Sequence, residues 1–208
     1  PALYTYLIDT VTINGVTQVK AAPEYILDAG QALQQEMLKS TKGGIYELAI
    51  GFAHNSNEKW YIGATIGIPL INYESNTVFM ESDTSANTSN HFKQFTYTDN
   101  FKTKGTGGNV KIGIIYRPKD YIRLGLAIHT PTYMFLKDTR TTNLSTAVEN
   151  PVEFFNVSSQ TFTNNQPGEA RYIQSSPFKA IISGSYVFRE IQDVTKQKGF
   201  ITADIEYV

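Results

Sequence analysis

Cysteine is absent from the 208-residue chain, which removes disulfide frameworks, thiolate zinc sites and cysteine nucleophiles together. Charge is sparse: 18% of residues are charged, against ~25% in an average soluble domain. The 18 basic residues nearly cancel the 19 acidic ones, so the chain carries no basic footprint for nucleic acid. No apolar run approaches the ~18 residues of a membrane helix, which excludes helices as spanning elements and leaves strands open. Gly-x-Ser-x-Gly and His-Glu-x-x-His are both missing. The histidines, His54, His91 and His129, stand on separate segments without metal-ligand spacing. Neither an enzyme nor a cofactor or metal site is expected. Gly105-Thr106-Gly107-Gly108 is not a phosphate loop, lacking the Lys-Ser/Thr and the helix that follow one. A leader and an initiator Met are also missing at Pro1, and the reading is of an internal piece of a longer protein.

What is abundant is tyrosine and phenylalanine, 13 and 12 residues, a content incompatible with disorder. Apolar residues alternate with small or polar ones at period 2, the signature of strands. Tyr46, Leu48, Ile50 and Phe52 alternate with Glu47, Ala49, Gly51 and Ala53. Trp60 to Leu70, Val110 to Tyr116, Ile122 to Ile128, Phe178 to Tyr186 and Ile201 to Tyr207 repeat the pattern. A seventh strand is expected around Leu3 to Ile13. Connections of a few residues (54–59, 118–120, 189–198) take turns with long ones (14–43, 72–108, 137–176), so antiparallel neighbours gather the short turns at one rim. In the first long connection, Pro23 and the stripe Ile26, Ala29, Leu33 and Met37 predict a helix from Pro23 to about Ser40.

Alternation fits both a soluble β-sandwich, its apolar faces in contact, and an outer-membrane barrel, its apolar face in lipid. Three features favour the barrel. The second face is rich in glycine and alanine (Gly51, Gly63, Gly67, Gly113, Gly125, Ala127), a poor surface for bulk water. Aromatic residues sit beside the short turns, at Phe52, Trp60, Tyr61, Tyr116, Tyr121, Tyr186 and Phe188, where a membrane girdle belongs. Segment lengths lie near the ~9–11 residues of a tilted membrane strand. An Arg or Lys at the bilayer midplane costs ~2–4 kcal/mol, and Lys111, Arg117, Arg123 and Lys179 all share the face opposite the isoleucines. The expected fold is therefore all-β, an antiparallel transmembrane barrel in one partial domain spanning 1–208.

Gly105 to Pro118, followed by Tyr121-Ile122-Arg123-Leu124-Gly125-Leu126-Ala127-Ile128-His129-Thr130-Pro131-Thr132, together with Trp60-Tyr61-Ile62-Gly63-Ala64-Thr65-Ile66-Gly67-Ile68, resembles the outer-membrane transport proteins of the long-chain fatty acid and toluene transporter family. The likeness covers about 44–137 and 178–208. It implies a barrel of about 14 strands, closed by an N-terminal hatch, that passes hydrophobic small molecules through the bacterial outer membrane. The partners implied are the hydrophobic substrate, outer-membrane lipid, and the hatch and remaining strands, with the present chain as half the barrel. No pocket residue is carried over from the family.

The ionisable residues on the small-residue face are Glu47, Lys111, Arg117, Arg123, His129, Lys179, Asp204 and Glu206. Lys111, Arg123, His129, Lys179 and Glu47 are the candidate ligand contacts, able to hold a carboxylate among apolar walls. Arg117, Asp204 and Glu206 are candidate structural residues. A network of mutually paired charges that keeps an interior wet and rigid accounts for the same set. Gly105, Gly107 and Gly108 mark a bend in a long strand from about Phe92 to Arg117. A soluble β-sandwich for binding or adhesion, and a haem-uptake receptor, are the alternative readings.

Overall fold

Period-2 patterning produces strands throughout the computed structural model, which describes residues 1–149, 152–189, 193 and 195–208. About 74% of it is strand, and the pairing is antiparallel, so the chain is all-β. Two hairpin strands, β1 (Ile8–Ile13) and β2 (Val16–Ala21), form a small sheet of their own, and a helix α1 (Ala22–Asp28) follows. The other strands are β3 (Leu33–Ser56), β4 (Trp60–Asp83), β5 (Phe92–Lys119), β6 (Ile122–His129), β7 (Tyr133–Glu149), β8 (Val152–Ser158), β9 (Gly168–Ser175), β10 (Lys179–Arg189) and β11 (Gln197–Tyr207). They form one nine-stranded sheet in the order β11-β10-β6-β5-β4-β3, with β7 paired to β5, β8 and β9.

The chain divides into two compact units. One comprises residues 1–44, 72–103 and 137–170; the other comprises 45–71, 104–136 and 171–208. The short turns between β3 and β4 and between β5 and β6 belong to the second unit. Most of each long connection belongs to the first.

In the first unit, Asn14 and Gly15 both take positive φ (51° and 80°), as a two-residue hairpin turn demands. Helix α1 begins with Pro23 in its first turn and with Glu24 accepting the Ala21 N–H at 3.0 Å. Gly30, at φ 73°, stops it: its N–H reaches the Leu27 carbonyl at 2.9 Å, and the Gln31 N–H reaches that of Ile26 at 3.1 Å. This pair of bonds closes a Schellman motif. The helix therefore ends at Asp28, not near Ser40, and Leu33 and Met37 lie on β3. A stripe at helical spacing has been overridden by pairing with β4. Ile26 and Phe92 are fully buried and anchor this unit's small core.

The N-terminal strand is likewise shorter than expected, because Ala2–Thr5 forms a 3-10 turn ahead of β1. The long connections are mostly strand, since β4 runs on to Asp83, β5 begins at Phe92, and β7, β8 and β9 occupy most of 133–175. The expected extent of β5, from Phe92 to about Arg117, matches its observed range. The short connection expected over 189–198 lies partly outside the described residues.

In the second unit, β5, β6, β10 and β11 are in a register that places the alternating residues in rows. Ile114 faces Leu126, Leu126 faces Ile182, and Ile182 faces Ile205. One step along, Ile112, Ile128, Ala180 and Tyr207 form a parallel row. Directly opposed residues share a sheet face, so these rows make one continuous apolar surface. Much of it is exposed: Leu126 is 43%, Ile182 61% and Ile205 73% accessible. Leu136 is the one buried large hydrophobic side chain among this unit's described residues.

Candidate functional site

The opposite face carries the ionisable residues identified from the sequence. Lys111 on β5 stands opposite His129 on β6, and His129 stands opposite Lys179 on β10. The row is closed by carboxylates at both ends. Lys111 Nζ contacts Glu47 Oε1 and Oε2 at 3.0 and 3.3 Å, and Lys179 Nζ contacts Glu206 Oε1 at 2.6 Å. Five of the eight residues thus lie along one line across the sheet. Both ion pairs are about a third or more exposed, where such pairs contribute ~0–1 kcal/mol; their effect is on position more than on stability.

Glu47 lies on β3 and Lys111 on β5, with β4 between them. The carboxylate passes over Gly67 of β4, and a Cβ at that position would overlap both it and Asn109 Oδ1. Asn109 completes the arrangement, donating from Nδ2 to Glu47 Oε1 at 3.1 Å and to Thr132 Oγ1 at 3.2 Å. Thr132 is in turn tied to Ser176, whose Oγ accepts the Thr132 N–H at 2.9 Å. Asn109 was missed as a site residue, although a polar residue two positions before Lys111 must share its face.

The remaining candidates lie elsewhere. Arg123 stands opposite Ser185, one end of a row that continues to Thr202. Asp204 stands opposite Ser183. Arg117 is near the turn, with Nη2 2.8 Å from Asp120 Oδ1. Gly105 and Gly107 let a neighbouring strand come close: a Cβ would strike the Phe135 or the Tyr133 carbonyl oxygen of β7, respectively. Gly108 has no atom within 4 Å of its would-be Cβ.

Between the row and the turns lies a trough of about 570 Å³, floored by Ala53, Gly63, Gly113, Gly125, Ala127 and Ser183 and walled by Tyr61, Ile115 and Ile181. A second hollow of about 410 Å³ shares Ala53, Gly63, Gly113 and Ala127 with it and reaches Lys111 and His129. The small side chains leave the volume, and Lys111 and His129 of the charged row mark one end of it.

Aromatic side chains cluster beside the short turns. Trp60 stacks on Tyr116 with centroids 4.3 Å apart. Tyr186 meets Tyr121 at 5.5 Å and Phe188 at 5.0 Å, both edge to face. Among the described residues no group of three or more His, Asp and Glu is placed to hold a metal ion, and no helix is long and apolar enough to cross a membrane. The sequence matches no protein-family model and no curated protein.

Proposed function

We propose that this chain is part of an outer-membrane β-barrel of the fatty acid and toluene transporter type, conducting hydrophobic small molecules past its glycine-rich face. The observation that carries the reading is the in-register apolar surface of β5, β6, β10 and β11, exposed and without a second layer over it among the described residues. A sandwich core would cover these side chains. Exposed apolar patches of this extent mark an interaction surface, and acyl chains suit a surface of aligned Ile and Leu. The turn-side aromatic clusters support the same reading, since amphipathic rings prefer the headgroup level.

On the other face, the trough offers an apolar ligand a floor of small side chains, and the Lys111 and Lys179 ammonium groups at its end, each held by a glutamate, have further N–H donors for a carboxylate. A fatty acid has both parts. The test is uptake of radiolabelled oleate and toluene into proteoliposomes carrying the protein. Flux of both above empty vesicles is expected, with oleate flux reduced in Lys111→Gln/Lys179→Gln and toluene flux unchanged. Flux no greater than in empty vesicles contradicts the proposal.

A further inference from the structure

Arg123 and Asp204 are opposite charges on one sheet face of the second unit, and they do not meet. Lys111, Arg117 and Lys179 on this face each have a carboxylate partner. Among the described residues Arg123 has no carboxylate and Asp204 no cation. Register holds the two apart. Ile115, Gly125, Ser183 and Asp204 form one row across β5, β6, β10 and β11, and Arg123, Ser185 and Thr202 form the next row toward the turns. Strand β10 stands between the charges, and strand spacing with the offset of one row separates their Cα atoms by about 12 Å. The gap holds hydroxyls, those of Ser183 and Ser185. On one side of it is the trough, walled by Ile115 and Ile181. On the other is a cavity of about 430 Å³ lined by Arg123, Ser185 and Thr202. Asp120 also lines that cavity, but its carboxylate is held by Arg117.

We infer that the gap between Arg123 and Asp204 binds the zwitterionic head of an apolar α-amino acid. The planar fork of Arg123 takes the carboxylate with two parallel N–H donors, and Asp204 accepts from the ammonium. Charge-assisted contacts of ~2.7–2.9 Å at each end, with the head group between them, span a gap that is too wide for a direct ion pair. A lone anion would lie beside Asp204 unanswered, and a lone cation beside Arg123. The zwitterion satisfies both, so the same two charges that attract it reject its singly charged relatives. Ser183 and Ser185 add hydroxyls that donate or accept as the head requires. The apolar side chain enters the trough between Ile115 and Ile181. This site shares the trough with the transport reading but uses neither the lysine row nor flux, so the two readings fail separately.

The full chain in detergent micelles is titrated calorimetrically with leucine, N-acetylleucine, leucinamide and glycine. Leucine should bind at least about fivefold more tightly than N-acetylleucine, which lacks the ammonium, and than leucinamide, which lacks the carboxylate. Glycine should bind about tenfold more weakly than leucine, the scale of a partly buried Leu side chain. Arg123→Gln should weaken leucine about tenfold, the loss of charge-assisted hydrogen bonds, and should tighten leucinamide. Asp204→Asn should weaken leucine about fivefold, the scale of an exposed ion pair, and should tighten N-acetylleucine. Damage to the fold weakens every ligand and cannot produce these opposite signs. N-acetylleucine or leucinamide bound as tightly as leucine by the unaltered chain overturns the inference, as does an absence of leucine binding. Equal weakening of all four ligands, in a variant with the gel mobility of the unaltered chain, overturns it as well.

Discussion

Glu47 and Lys111 form their ion pair across an intervening strand, with Gly67 beneath the carboxylate. Next-nearest strands are separated by about 9.6 Å, so the two side chains meet by reaching over β4. Any side chain at position 67 occupies that path. The glycine thus leaves the clearance that the ion pair uses.

Gly67→Val should therefore push the Glu47 and Asn109 side chains aside, break the ion pair to Lys111 and destabilise the folded chain by up to ~1 kcal/mol, the worth of an exposed pair. Gly184, with no atom within 4 Å of a would-be Cβ, is the control, and Gly184→Ala should change stability by less than ~0.5 kcal/mol. Urea unfolding in detergent, followed by gel mobility, measures both. Equal midpoints in the two variants would show that the clearance over β4 is not needed.

Glu74 links pH to the stability of the first unit. Lys102 and Lys42 hold its carboxyl at about 2, well below the ordinary 4.5. A carboxyl lowered by folding stabilises the native state above its unfolded value, and the contribution is lost as pH falls from there through the folded value. Urea midpoints should decline from about pH 4.5 toward pH 2, and Glu74→Gln should remove that part of the decline. A Glu74→Gln profile parallel to that of the unaltered chain would contradict the assignment.

Ile181 and Ile182 are adjacent in sequence but face opposite ways, the first toward Ala127 and Glu206, the second toward Leu126 and Ile205. Lysine at 182 should cost ~2–4 kcal/mol in a bilayer, and lysine at 181 no more than ~1 kcal/mol. Folding titrations into lipid vesicles measure the difference. Equal costs would remove the distinction between the two faces.

Trp60 is the single tryptophan, so its fluorescence reports one place. Stacked on Tyr116 at the turn end of the sheet, it should be quenched more by lipids brominated near the headgroup than by lipids brominated near the methyl end. Tyr116→Ala should cost ~0.5–1.5 kcal/mol beyond the loss of buried area. Equal quenching at both depths would place the ring away from the interface.

Strand identity and facing were legible in the sequence wherever one face is apolar, as at Ile122 to Ile128, because a one-residue slip reverses every side chain. Strand length was not. In β4 beyond Leu70 and in β7, Thr, Ser and Asn occupy both faces, so pairing continues without any hydrophobic period to reveal it. The end of α1 was written in Gly30, whose αL turn stops the helix, but Leu33 and Met37 extend the apolar spacing past it. The charged row was legible as a set on one face. Its order across the sheet was not, because register between distant strands depends on turns and bulges, such as the shift between Tyr116 and Lys119. Asn109 escaped notice because its importance comes from Glu47, 62 positions away.

The central claim is that the Leu126–Ile182 face meets lipid while the Ala127–Ile181 face meets water. The absence of native cysteine makes single-site spin labels unambiguous. The decisive measurement is electron paramagnetic resonance accessibility in lipid vesicles, at Leu126→Cys, Ala127→Cys, Ile181→Cys and Ile182→Cys in turn. Labels at 126 and 182 should collide with dissolved oxygen and be shielded from a water-soluble nickel chelate, with the reverse at 127 and 181. Labels at 126 and 182 shielded from both reagents, as inside a protein core, would contradict the account.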